Sequence, residues 1–179
     1  MPLSSVTEDG SPRAPMTFAL WEPPLVVDER GLPRRVSTLT ETGDLLAGCV
    51  EADVQSVAFA RSRAGVEVVA NVARDRVSVT REAGIAAYRG GFLPEERREL
   101  ERALRARSLV GIAATNALEL GVDVTGLDAV LLAGWPGTLA SLWQQAGRAG
   151  RTGHRSLAVL VAADDPLDTF VVHHPESIF

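Results

Sequence analysis

Residues 109–134 read LVGIAATNALELGVDVTGLDAVLLAG. Two apolar runs, 109–115 and 127–134, stand on either side of the short helical pattern NALEL at 116–120. Neither run alternates polar with apolar residues, as a strand with one wet face would. Continuous apolar runs of this length fit strands of a parallel sheet covered by helices on both faces. Parallel neighbours need a crossover connection, usually a helix, and NALEL stands where one is required.

The same unit repeats outward from this stretch. Upstream, SVAFA (56–60) and GIAAY (84–88) are strand patterns, each followed by a helix pattern, at 62–77 and 94–107. Pro94 suits a first helical turn. Downstream, a helix over 138–149, a strand over 156–163 and a helix over 166–174 complete the alternation. Ahead of it, MTFALW (from 16) begins a strand that Pro23-Pro24 ends, and 27–35 reads as a polar turn. Residues 37–53 read as a helix, with Leu39, Leu46 and Val50 on one face and a capping box between Thr38 and Glu41. Strand–helix alternation of this kind predicts a doubly wound α/β domain with a mostly parallel sheet. The strands near 57–60, 85–88, 110–114, 128–133 and 157–162 are expected at its centre. Residues 61–63, 115–116 and 121–123 are expected at the C-terminal ends of strands, where open α/β sheets place ligands. Residues 1–35 form a lead-in with the first strand, and 36–179 form the domain proper.

Composition narrows the functional classes. The chain has 179 residues and a formal net charge of −5, so it is no polycation, and contact with nucleic acid must come from local patches. All 18 basic residues are arginine; lysine is absent. No apolar run approaches the ~20 residues of a membrane helix, and the polar start, MPLSSVTEDGSPRAP, lacks the pattern of a secretory signal. Cys49 is the single cysteine, which excludes an internal disulfide framework and an all-cysteine metal site in this chain. A cytoplasmic location is expected.

A second stretch, WQQAGRAGRTGH at 143–154, carries the chemistry. Gln144 is followed by Gly147-Arg148 and Gly150-Arg151, with Gly153 beyond. A dinucleotide fingerprint would follow a strand and open a helix, whereas this run closes a helix and precedes a strand. Arginines three apart at a helix end share a face, glycines beside them admit a ligand close to the backbone, and guanidinium forks onto phosphate oxygens. The pattern describes a phosphate clamp. The plainer alternative is two charges that neutralise the helix C-terminus.

QQAGRAGR resembles the last signature motif of superfamily 2 helicases. TNALELGVDVTGLDAVLLAGWPG (115–137) is similar to their preceding motif, SVAFARSR (56–63) to the motif that opens the second motor domain, and AYRGGFLPEERRELERAL (87–104) to the segment between. Four segments in order cover about residues 36–172. In wording, including LWEPPL and DDPLDTFVVHHPE, they resemble bacterial DEAD/DEAH-box DNA helicases with a C-terminal MZB zinc-binding domain.

The resemblance implies a RecA-like three-layer sandwich that acts as the second motor domain of an ATP-dependent DNA helicase, in DNA repair or processing. It implies that Arg148 and Arg151 are arginine fingers for ATP bound on a first RecA-like domain, which also holds Mg²⁺. It implies that Gln144 lies near the γ-phosphate, and that Gly121, Asp123, Gly147 and Gly150 belong to the ATP side. On the DNA side it implies Arg61, Ser62, Arg63, Gly90, Arg97, Thr115 and Asn116. Thr115 and Asn116, at a strand-to-helix junction, suit a DNA phosphate. For Arg97 an ordinary solvated helix is the competing account. Of the tryptophans, Trp143 is expected in the core, while Trp135 at a strand end is more open and able to stack on a base. His154, His173 and His174 are expected at the surface without a metal.

Half of the engine is missing from this sequence. A Walker A loop needs a lysine, and no acidic Mg²⁺-binding run is present. The expectation is therefore a monomeric part of a longer helicase that binds single-stranded or tailed DNA, works with the first RecA-like domain of the same polypeptide, and hydrolyses no ATP alone. A free-standing phosphate- or nucleotide-binding module, or an interaction domain that kept the fold, remain the other classes.

Overall fold

The computed structural model of the chain describes residues 4–6, 15–88, 93–115, 126–150 and 155–179. Among them, nine strands and five α-helices follow in the order β1 (Ser4–Val6), β2 (Met16–Trp21), β3 (Leu25–Val27), β4 (Pro33–Arg35), α1 (Thr38–Glu51), β5 (Ser56–Phe59), α2 (Arg63–Arg76), β6 (Ile85–Tyr88), α3 (Pro94–Arg105), β7 (Gly111–Ala114), β8 (Ala129–Ala133), α4 (Leu139–Ala146), β9 (Ser156–Val161) and α5 (Pro166–His173). The expected helix over 116–120 lies outside the described residues, as do Gly90, Asn116, Gly121, Asp123, Arg151 and His154.

The main sheet has the order β1-β2-β9-β8-β5-β7-β6. All neighbours are parallel except β1, which runs antiparallel to β2. Strand 85–88 was expected at the centre but is last in the order, beyond β7. It carries the same apolar pattern as a central strand because helices still cover it: Ile85 and Tyr88 are buried against opposite layers.

Alternation along each strand builds two cores. Val57, Phe59, Val130, Leu132 and Leu160 face one side, where they meet Leu100 and Leu104 of α3, Leu142 and Ala146 of α4 and Val171 of α5. Ala58, Leu131, Val159 and Val161 face the other, where they meet Leu46 and Val50 of α1 and Val66, Val69 and Ala73 of α2. A sheet with helices on both faces is the three-layer sandwich that continuous apolar strands require. Each fully buried leucine such as Leu46 or Leu142 stabilises the fold by about 1.5–3 kcal/mol.

Two local readings are corrected. The N-cap of α1 is Ser37, whose Oγ accepts from the Thr40 N–H at 3.1 Å. Thr38 instead donates its hydroxyl to the Ala162 carbonyl at 2.9 Å, and Glu41 accepts from the Trp21 indole at 2.8 Å. The stretch 27–35 is not a simple turn, because β3 and β4 pair as an antiparallel hairpin. Its tip is fixed by Asp28, whose carboxylate accepts from the N–H groups of Arg30 and Leu32, both at 2.9 Å. All three residues of β3 and the first two of β4 are exposed, which leaves no buried–exposed alternation for a sequence reading to detect.

Candidate functional site

The C-terminal ends of adjacent strands converge as the parallel topology dictates. β5 ends at Phe59, and the Ala60 N–H donates to the Ala114 carbonyl of β7 at 2.8 Å. The chain then turns through Arg61 and Ser62 into α2. Ser62 is the N-cap of α2, its Oγ accepting from the Gly65 N–H at 3.0 Å, and Arg63 is the first helical residue. All three are exposed. Thr115, half-buried, follows β7 directly alongside. Arg97 lies in the first turn of α3, after β6, with its Nε enclosed and unpartnered. The structure thus gathers Arg61, Ser62, Arg63, Thr115 and Arg97 at one end of the sheet.

The same end contains a residue that the sequence reading did not single out. Asp168, in α5, is 0% exposed. Its Oδ2 accepts from the N–H of Ala163, just past β9, at 2.7 Å and from the N–H of Trp135, just past β8, at 3.0 Å. Its Oδ1 has no hydrogen bond and faces the Arg61 guanidinium at 3.9 Å. Arg61 in turn donates through Nε (2.9 Å) and Nη2 to the Trp135 carbonyl. The two peptide groups that flank Trp135 are therefore held in turn by a buried carboxylate, at the N–H, and by an exposed guanidinium, at the carbonyl.

Burial pushes the Asp168 carboxyl above its ordinary range, Asp165 adds to the rise, and the two backbone N–H groups and Arg61 oppose it. Gly134 makes the geometry possible. It adopts φ +83°, and a Cβ there would sit 3.3 Å from Asp168 Oδ2 and 3.6 Å from Arg61 Nη2. The available signal in the sequence was periodicity: Asp168 stands three residues before the buried Val171, on the apolar face of its helix.

The glycine–arginine turn lies at the opposite end of the sheet. α4 stops at Ala146, earlier than expected, and Gly147 and Arg148 form a turn beyond it. The Arg148 carbonyl accepts from the Leu127 N–H at 3.2 Å, and the Gly150 N–H donates to the Leu127 carbonyl at 2.9 Å. Leu127 precedes β8, so Arg148 and Gly150 are docked at that strand's N-terminal end. Gly150 has φ +110°, in the left-handed region that favours glycine. Gln144 and Gly147 are exposed and Arg148 is half-buried.

The aromatic expectations divide. Trp143 packs as expected, its ring centroid 5.5 Å from Phe18 and 5.7 Å from Phe179. Trp135 is 7% exposed and belongs to the core, so it offers no open ring to a base. Its backbone N–H is bonded to Asp168 and its carbonyl to Arg61. His173 and His174 are exposed, and the His174 ring stacks on Phe170 at 4.4 Å.

Comparison with known proteins identifies the family and the fold. The family described as helicase conserved C-terminal domain matches residues 38–153. The chain is 42% identical to the ATP-dependent helicase YprA of Bacillus subtilis over 99% of its own length and 24% of that protein's. It is 36% identical to the ATP-dependent helicase HRQ1 of Saccharomyces cerevisiae, over 97% of this chain and 16% of that one. Its fold superposes on the crystal structure of the DUF1998 helicase MrfA bound to DNA and AMPPNP with a TM-score of 0.84, at 41% identity, covering 97% of this chain and 24% of that one. The chain thus spans about a quarter or less of the length of these relatives.

Proposed function

Since the chain belongs to the helicase conserved C-terminal domain family, we infer that it serves as the second motor domain of an ATP-dependent superfamily 2 DNA helicase. The observation that carries this reading is the separation of two chemistries to opposite ends of one sheet. Arginine, serine and threonine side chains cluster where strands end, and the glycine–arginine turn is bonded to where β8 begins.

On the first side, Arg61, Ser62, Arg63, Thr115 and Arg97 hold the backbone of single-stranded or tailed DNA; Gly90 and Asn116, outside the described residues, are assigned to it by the family resemblance alone. Guanidinium and hydroxyl donors at strand-to-helix junctions suit phosphate oxygens. On the second side, Gln144, Gly147, Arg148 and Gly150 face ATP bound on a first RecA-like domain of the same polypeptide; Arg151, Gly121 and Asp123, outside the described residues, are assigned to that ATP by the family resemblance alone.

The donor set fits the phosphates of ATP. It comprises the exposed Gln144 amide and the Arg148 guanidinium, with no side chain at Gly147 or Gly150 to crowd them, while the N–H groups of the two glycines are spent on the Trp143 and Leu127 carbonyls. It does not fit Mg²⁺, for which the described turn supplies no carboxylate, and the metal belongs with the first domain. ATP supplies the transferable phosphoryl. Arg148 and Arg151 stabilise the charge developing on it, which in comparable NTPases is worth a factor of roughly 10³–10⁵. DNA repair or processing is the proposed setting, in the cytoplasm, within a polypeptide that continues into an MZB zinc-binding domain.

The test is steady-state ATP hydrolysis by the complete polypeptide with and without single-stranded DNA. Arg151→Ala is expected to abolish the DNA-stimulated rate while DNA affinity stays within about twofold. The 179-residue chain by itself is expected to turn over no ATP. Turnover by the isolated chain, lost on Arg151→Ala, would show that it is a self-sufficient nucleotidase rather than half of a motor.

A further inference from the structure

We propose that Asp168 is a positioning residue for DNA binding, clamping the Arg61 guanidinium on the Trp135 peptide so that its outer edge is presented to a DNA phosphate. The proposal rests on the assignment of Arg61 to the DNA side.

Arg61 carries five N–H donors in one plane. Nε and one N–H of Nη2 are spent on the Trp135 carbonyl. That fixes the plane and leaves Nη1 and the second N–H of Nη2 for a phosphate on a side chain that is still 57% exposed. Outward-facing guanidinium edges take phosphate as a fork, provided the plane is held. A long exposed arginine would otherwise lose that orientation to rotamer freedom.

Asp168 holds it in two ways. Its Oδ2 anchors the Trp135 N–H and, through Ala163, the end of β9, which fixes the carbonyl that Arg61 grips. Its Oδ1 is fully buried without a hydrogen bond and faces Arg61 Nη2 at 3.9 Å. A buried oxygen with no donor is costly to keep, and its negative charge here has one cation in front of it. At 3.9 Å the pair is electrostatic rather than hydrogen-bonded, so the carboxylate steers the guanidinium without competing for the N–H groups needed by phosphate. Gly134 keeps the space between them clear. Because α5 contributes Asp168, a helix beyond the matched family segment 38–153 becomes part of the DNA-binding machinery.

The experiment measures single-stranded DNA affinity of the complete polypeptide against salt for wild type, Arg61→Ala, Asp168→Asn and the double variant. Arg61→Ala is expected to weaken binding about tenfold and to reduce the log–log salt slope by about 0.7, the loss of one phosphate contact. Asp168→Asn is expected to reproduce most of both effects, and the double variant to add little, since the two act through one contact. A purely structural Asp168 would lower stability and leave the slope untouched, and that result overturns the proposal. If Arg61→Ala itself changes neither affinity nor slope, the DNA assignment of Arg61 fails, and the proposal falls with it. Should Asp168→Asn not fold, Arg61→Lys carries the test. Lysine keeps the charge but cannot fork on the Trp135 carbonyl, so binding as weak as in Arg61→Ala supports positioning, and wild-type binding refutes it.

Discussion

Arg61 and Arg148 hold opposite ends of one strand. The Arg61 guanidinium donates to the Trp135 carbonyl just past β8, and the Arg148 carbonyl accepts the Leu127 N–H just ahead of it. Between Leu127 and Trp135 lie roughly 25 Å of extended chain. A contact made at one end is thus well beyond direct reach of the other, and the two should be separable by mutation.

Thr115→Ala in the complete polypeptide should weaken single-stranded DNA binding while leaving the ATP side intact. ATP hydrolysis then falls because the stimulus is lost, and saturating DNA recovers part of the rate. A titration of rate against DNA concentration distinguishes this from a change at the arginine turn, where no DNA concentration restores turnover. An unrecoverable Thr115→Ala would place that residue with the ATP chemistry.

Ser62 has a structural duty besides any contact with DNA. Its Oγ caps α2 through the Gly65 N–H. Ser62→Ala should cost about 1 kcal/mol of stability, and Ser62→Gly only a few tenths. Urea unfolding of the two variants checks the difference, and equal losses would argue against the cap.

Gly134→Ala combines a positive φ with a Cβ inserted between Asp168 and Arg61. A destabilisation of about 1–3 kcal/mol is expected from the backbone alone. The added methyl would also press on Asp168 Oδ2 at 3.3 Å and disturb its pairing with Arg61, so DNA affinity should fall with it. Denaturant midpoints and a DNA titration on the same preparation read both effects.

The burial of Asp168 implies a pH dependence of stability, with a sign that follows from the direction of its shift. Burial raises its pKa in the folded chain above the unfolded value. Between those two values the folded chain holds a proton that the unfolded chain has released. The contribution of this group therefore becomes more favourable as pH falls through the raised value and less favourable as pH rises through it. Comparing thermal unfolding of wild type and Asp168→Asn from neutral pH down to mild acid, the gap between them should shift in favour of wild type as pH falls. A shift the other way would mean that the hydrogen bonds from Trp135 and Ala163 outweigh burial.

Much of the fold was legible because its strands are short, apolar and unbroken: Val57–Phe59 and Ala129–Ala133 admit little besides a covered sheet. Strand order was less legible. Nothing in Ile85–Tyr88 distinguishes a strand at the end of the order from one in the middle when helices cover it, and the hairpin at 25–35 buries too little to leave a period. In the site, residues that follow a strand and open a helix were identifiable from their place in the unit, as with Arg61–Arg63 and Thr115. Asp168 was not, since its partners Trp135 and Arg61 lie 33 and 107 positions upstream. Trp135 was misjudged for the same reason: its ring belongs to a core built from residues distant in sequence.

Strand β2 has a practical consequence for anyone handling this protein. It lies ahead of the matched family segment, yet it hydrogen-bonds along all of β9, from Met16 beside Ser156 to Trp21 beside Val161. A polypeptide begun at residue 38 would leave β9 as a bare apolar strand edge and remove Phe18 and Leu20 from the interior. Exposed edges of this kind recruit other chains. Such a truncation should precipitate or form strand-exchanged oligomers, whereas one that starts ahead of Met16 keeps the edge covered.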